Sequence, residues 1–312
     1  MKTIYKSLAI ATALFATACS NEAVTISNDG NSVVTFAVST PDFGSRAEIG
    51  DGTTATTLTY AVYDKEWNHI ATLDGTTTIN TTTDVDLSLI DGKTYNVIFW
   101  ADNDAAPYTF NAAAKTMTIN YSSINSNDEN LDAFYGVVTN LRIYDGIPAQ
   151  PVELTRPFAQ LNIATSDYAT LQASNEEITK TSVMVSAYST LNLVTGEVSD
   201  AAVRTFALNA IPSETFTIDN NPTLHKWLSV NYLLVYDKEL VDVILKCDND
   251  EVSDKSYTNV PIERNYKTNI TGKLLSSSVD FTITINKATV GDYDVDTDTG
   301  TIYKDGVAQP SN

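Results

Sequence analysis

Hydrophobic residues in this chain recur at every second position far more often than at helical spacing. Val34, Phe36 and Val38 alternate with small or polar neighbours, as do Leu58, Tyr60 and Val62. Tyr95, Val97 and Phe99 lead into Trp100, and Ala159, Leu161 and Ile163 form another set. Val183 and Val185, then Leu191 and Leu193, flank an expected bend. Leu228, Val230, Tyr232 and Leu234 share one parity, and Phe281, Ile283 and Ile285 form the last clear run. A period of two marks strands with one buried face, and abundant threonine and tyrosine suit a pleated surface. Tight-turn pairs separate the runs: Asp29-Gly30, Asp51-Gly52, Asp74-Gly75, Asp91-Gly92, Asp145-Gly146, Thr195-Gly196 and Asp305-Gly306. Two stretches, Leu131-Asp132-Ala133-Phe134-Tyr135 and Ser199-Asp200-Ala201-Ala202-Val203-Arg204, read as short helices. The pattern predicts an all-β chain of antiparallel sandwiches.

Size suggests two domains. The segment Tyr144-Asp145-Gly146-Ile147-Pro148-Ala149-Gln150-Pro151 has a glycine, two prolines and no periodicity, so it reads as the joint between residues 28–150 and 151–285. Residues 286–312 read as an acidic tail or hairpin, the hairpin centred on Asp298-Thr299-Gly300. No short-period repeat is visible.

The first residues change the picture from a soluble domain to an exported one. Lys2 and Lys6 precede an apolar run over residues 8–18. Eleven helical residues rise only ~16 Å, too short for a bilayer core, which fits a cleaved signal peptide over residues 1–18. It ends in Ala16-Thr17-Ala18-Cys19, which resembles the lipobox of bacterial lipoproteins, although Ala16 stands where leucine is usual. The resemblance implies cleavage before Cys19, lipid on its sulfur, and a short linker over residues 19–27. Several acyl chains anchor far more firmly than one.

Charge and chemistry narrow the function. The chain carries 19 Lys and Arg against 39 Asp and Glu, a formal charge of −20. Such a surface repels phosphate, so no nucleic-acid partner is expected. There are only two cysteines. With Cys19 lipidated, Cys247 has no disulfide partner and reads as a small strand residue rather than a nucleophile. Neither His69 nor His225 stands in a catalytic pattern, and no cofactor loop or metal cluster is apparent. Four alternate aspartates, Asp292, Asp294, Asp296 and Asp298, suggest calcium, but the glycine and the final ligand fall at the wrong places, so an acidic strand is the better reading. No enzymatic activity is expected.

Three further segments carry a family resemblance: Thr94-Tyr95-Asn96-Val97-Ile98-Phe99-Trp100-Ala101; Leu154-Thr155-Arg156-Pro157-Phe158-Ala159-Gln160-Leu161-Asn162-Ile163; and Val260-Pro261-Ile262-Glu263-Arg264-Asn265-Tyr266-Lys267-Thr268-Asn269-Ile270-Thr271-Gly272. In this order, after a lipobox, they resemble the fimbrillin-like lipoproteins of Bacteroidetes, which are stalk, anchor or tip proteins of type V pili. The resemblance implies two tandem transthyretin-like β-sandwich domains, an outer-membrane location and assembly with other pilin subunits by strand exchange, with host or bacterial surface ligands as further partners. In that scheme a protease cuts between Arg46 and Ala47, the strand over residues 33–40 leaves, and a neighbour's strand replaces it. Val279, Phe281, Ile283 and Ile285 are the candidate donor positions. The plain alternatives are a solvated loop at Arg46 and a permanent strand at the C-terminal end. A second functional reading is a glycan-binding surface lipoprotein with an exposed platform of two or three aromatic residues.

Overall fold

The computed structural model describes residues 30–41, 50–174, 177–217, 223–276, 280–287, 293–296, 301–304 and 307–308 of the 312-residue chain. In chain order the first half contains β1 (Asn31–Ser39), β2 (Thr57–Asp64), β3 (Gly75–Thr78), β4 (Thr82–Ile90), β5 (Thr94–Asp102), β6 (Tyr108–Asn111), β7 (Thr116–Ile119), β8 (Phe134–Arg142) and β9 (Gln150–Glu153). The second contains β10 (Phe158–Thr165), α1 (Tyr168–Ala173), β11 (Lys180–Ala187), β12 (Thr190–Asn192), β13 (Val198–Ser199), β14 (Ala202–Ala210), β15 (Thr215–Thr217), β16 (Leu224–Leu234), β17 (Lys238–Cys247), β18 (Lys255–Glu263), β19 (Tyr266–Lys273) and β20 (Asp280–Lys287). The tail adds β21 (Tyr293–Asp296), β22 (Thr301–Lys304) and β23 (Val307–Ala308), a sheet of its own in which Asp296 stands opposite Thr301; the expected hairpin centre Asp298-Thr299-Gly300 lies outside the described residues.

The expected all-β sandwich architecture is present, and it is duplicated. A sheet ordered β4-β1-β9 faces one ordered β3-β2-β5-β8. The second half repeats both: β16-β10-β19 matches the first sheet, and β14-β11-β17-β18 matches the second. Pairing directions agree throughout. Each half is antiparallel except where its first strand lies parallel to a late one, β1 with β9 and β10 with β19. β15 and β20 are added at the two edges of the second half's larger sheet.

Each half adds an insertion to this shared plan. Between β5 and β8 the chain makes the β6–β7 hairpin and two short 3₁₀ turns; between β11 and β14 it makes the β12–β13 hairpin. The insertions pair with each other in a small sheet ordered β13-β12-β7-β6, which therefore belongs to both halves. Further along the same insertion, Ser126 N–H donates to Ala207 O at 2.9 Å and Asn127 N–H to Val230 O at 3.0 Å.

This weld explains why β5 is buried on both faces. Val97 and Phe99 enter the first sandwich core beside Val34, Phe36 and Leu87. Ile98 and Trp100 point the other way, into a core continuous with Met117, Leu131, Phe158, Leu191 and Val230. The uninterrupted apolar run of β5 is thus two alternating patterns superposed.

The two expected helices are corrections. Glu129–Leu131 is a 3₁₀ turn, and strand β8 starts at Phe134. Residues 199–204 hold the end of β13, a tight turn with Asp200 at φ 64°, and the start of β14. Three apolar residues in a row misled there, because their partners are distant strands. Asp91-Gly92 and Thr195-Gly196 are turns with φ of 77° and 74° at glycine. Asp74-Gly75 differs: Gly75 begins β3, and a side chain there would collide with the Tyr60 ring.

Candidate functional site

The first strand fills a slot. β1 pairs with β4 along its whole length, from Asn31 opposite Ile90 to Ser39 opposite Thr82, and with β9 over residues 36–39. Val34, Phe36 and Val38 are each 0% exposed. Phe36 lies 5.4 Å from the Phe99 ring, centroid to centroid. Hydroxyls add bonds on both faces: Thr35 Oγ1, on the outer face, donates to Asp86 Oδ1 at 2.6 Å, and Ser32 Oγ, in the inward row ahead of Val34, donates to Asp91 Oδ1 at 2.6 Å. Taking β1 away would bare the facing edges of β4 and β9 and three apolar sockets, a template for any strand with matching alternation. The outer edge of β9 is less inviting. Leu154 N–H donates to Ser39 O, which sets the parity, so Pro151 turns its missing donor outward.

The loop after β1 carries Arg46 and Ala47, which lie outside the described residues, as do Cys19 and Val279. The loop's far end, at Gly50, is clamped where the halves meet. Gly50 N–H donates to Glu129 Oε2 at 2.7 Å. Its carbonyl accepts from Arg156 Nη2 at 2.9 Å and from Lys267 Nζ at 3.4 Å. Lys267, Gln160 and Tyr232 form one row across β19, β10 and β16, and Tyr232 Oη donates to Glu129 Oε2 at 3.0 Å. A Cβ at position 50 would push the Gln160 amide aside, and φ is 68°, so glycine is the favoured residue at this approach.

A buried ion pair centres the clamp. Arg156 is 0% exposed and Asp132 1%. The guanidinium donates to both carboxylate oxygens, Nε to Oδ1 at 2.6 Å and Nη2 to Oδ2 at 2.6 Å. Burial works against the charge on Arg156, but Asp132 outweighs it and holds the group above its ordinary value. Burial pushes the Glu129 carboxyl up, against the bond from Gly50. Sequence reading placed Arg156 in a family segment and Asp132 in a supposed helix, and missed their partnership. The Arg-Pro step ahead of a buried strand was the available signal.

The candidate donor strand stands at the other end. β20 is the last strand of its sheet and, among the described residues, hydrogen-bonds to β19, Ile283 opposite Ile270 and Ile285 opposite Thr268. Ile283 packs partly against the shared core, and Ile285 is half-buried. Phe281 is 42% exposed, its ring edge-on to Tyr257 at 5.1 Å.

The remaining candidates have structural settings. Burial, with Asp248 beside it, pushes the Cys247 thiol up to about 12, so it stays protonated. His69 Nε2 sits 2.6 Å from Asp74 Oδ2 in a turn, and His225 is buried at 4% exposure. Among the described residues no group of three His, Cys, Asp or Glu could hold a metal, and no helix is long and apolar enough to cross a membrane.

Comparisons with known proteins bear on this architecture. No curated protein sequence matches the chain. Among solved structures, a proposed polysaccharide-binding protein from Bacteroides thetaiotaomicron is 13% identical, covers 89% of this chain and 98% of its own, and superposes with a TM-score of 0.50. A proposed adhesin from the same organism is 12% identical over 89% of this chain and 97% of its own, also at 0.50. A fimbrial assembly protein from Parabacteroides distasonis is 16% identical over 88% and 99%, at 0.47. The first two share the fold of this chain. Residues 26–305 match the family of unknown function DUF6562, and the chain is a member of that family.

Proposed function

We propose that this chain is a surface-exposed fimbrillin-like subunit or adhesin that joins its neighbours by strand exchange, held to the outer membrane through lipid on Cys19. The observation that carries the reading is β1: a central strand with three fully buried alternate side chains, followed in the chain by Arg46 before β2 begins. Cleavage there would free β1 while Gly50 stays clamped, leaving an open slot on an intact scaffold. Phe281, Ile283 and Ile285 repeat the spacing of Val34, Phe36 and Val38, and among the described residues β20 is an edge strand of its sheet. The described neighbours, an adhesin and a fimbrial assembly protein, support the same role.

Limited trypsin digestion tests it. The expected product is a chain beginning at Ala47, which loses the β1 peptide and forms higher oligomers on size exclusion with light scattering. Truncation before residue 279 should abolish the oligomers and leave cleavage intact. A cut chain that keeps β1 and remains monomeric at high concentration would rule out the polymerising role. For the rival glycan-uptake reading, the exposed aromatic residues among those described are Tyr144, Tyr236 and Phe281, on three separate segments.

A further inference from the structure

The small sheet made by the two insertions has a face that the duplicated fold does not need. Its inner side chains, Met117 and Leu191, are 0% exposed and belong to the shared core. Its outer side is polar. Thr116 on β7 stands opposite Asn192 on β12, and Asn192 N–H bonds Glu197 O in the next turn. Thr190 stands opposite Ser199 on β13. With Tyr236, from the turn joining β16 to β17, these side chains line an open groove of about 460 Å³.

We propose that this groove is a binding site for a neutral carbohydrate, a short stretch of glycan chain lying across the seam between the two halves. The lining determines the ligand class. It offers hydroxyls, an amide and one carboxylate, groups that donate to and accept from hydroxyls. It has no lysine or arginine, and the whole chain carries −20, so phosphate, sulfate and carboxylate ligands are repelled. A purely apolar ligand would strand the polar groups. Tyr236, 56% exposed, supplies the one flat apolar surface, which suits the C–H face of a sugar ring.

The walls are fixed before any ligand arrives. Asn192 Oδ1 accepts from the N–H groups of Val194 and Thr195, both at 3.0 Å. Arg264 Nη2 donates to Gly196 O at 2.8 Å from behind the turn. Thr190 Oγ1 donates to Asp200 Oδ2 at 2.9 Å, and Tyr236 N–H donates to Glu239 Oε1 at 2.8 Å. A preset groove spares the ligand most of the ordering cost of binding. Sites grafted onto a fold sit in its added segments, and every strand of this sheet is such a segment. The inference stands independently of strand exchange, because the groove lies far in sequence from β1 and its loop.

Affinity electrophoresis in native gels tests it on the full chain. The gels contain a panel of neutral polysaccharides (mannan, galactan, glucan, xylan) or dextran sulfate as the charged control. At least one neutral polymer should retard the protein, and dextran sulfate should not. Tyr236→Ala should weaken the retardation about tenfold, Tyr236→Phe should keep most of it, and Tyr144→Ala, at an exposed tyrosine elsewhere, should leave it unchanged. Thermal melts confirm that each variant is folded. Migration unaffected by every neutral polymer, or Tyr236→Ala retarded like the wild type, would overturn the proposal; binding to dextran sulfate alone would do the same.

Discussion

Asp102, at the end of β5, shows how burial sets the behaviour of one group. Its carboxylate accepts from Trp100 Nε1–H at 2.8 Å. Burial nevertheless pushes its pKa from 3.8 up to about 6, with Asp104 adding to the rise. In the unfolded chain the same carboxyl ionises near 3.8. Between those values the folded state holds the proton and the unfolded state has lost it, so stability falls as pH rises through that window and then levels off. Asp102→Asn keeps the acceptor for Trp100 and removes the charge. Its melting temperature should match the wild type at about pH 3 and exceed it at about pH 7, with the difference appearing between. A gain of equal size at both pH values would show that the charge is not responsible. Such settings were hidden in the sequence. Asp102 follows an apolar run as any strand-ending acid does, and nothing beside it in the sequence marks it as half-buried. Cys247 was legible, because a lone cysteine inside an alternating run is nearly always a packed strand residue.

At the scale of the element, the alternating pattern carried most of the information. Residues 33–40 were expected as the first strand and Asn31–Ser39 is observed, with the same three inward residues. Leu228, Val230, Tyr232 and Leu234 fall within one strand, β16, as their parity required. Illegible were the short strands β6, β7 and β13, too short to show a period, and the pairing of β7 with β12 more than seventy positions on, although the Leu191 and Leu193 alternation marked β12 itself. The duplicated topology was equally hidden, since two sheets can repeat their strand order without repeating a residue. β1 and β20 are both apolar alternators, yet their settings differ, and so should the effect of truncating them. Phe36→Ala empties a fully buried socket and should cost about 3–5 kcal/mol. Phe281→Ala, at an exposed edge, should cost well under half of that. Denaturant midpoints measure both, and equal losses would mean that β20 is as firmly seated as β1, contrary to a donor role.

For the whole molecule the decisive feature is the shared core. Sandwiches in tandem usually behave as separate units joined by a linker. Here the outer face of β5, the insertion and the second sandwich contribute to one continuous cluster, from Ile98 and Trp100 through Met117 and Leu131 to Leu161 and Val230. The Asp132–Arg156 pair bridges the same junction, Asp132 from the first half's insertion and Arg156 from the strap that enters β10. Opening the junction would expose apolar surface on both sides and a charge pair whose side chains are buried. Neither half can therefore unfold without uncovering the other, and calorimetry should give one transition, with calorimetric and van't Hoff enthalpies in agreement. Asp132→Asn leaves the Arg156 guanidinium buried without its carboxylate, at a cost of about 3–5 kcal/mol. If the junction holds the halves together, that variant should lower the single transition or split it in two. If it is incidental, the wild type should already melt in two steps, and Asp132→Asn should shift only one of them. Such a junction would serve the subunit role proposed above, because force on one half would reach the other through packed side chains rather than through a flexible linker.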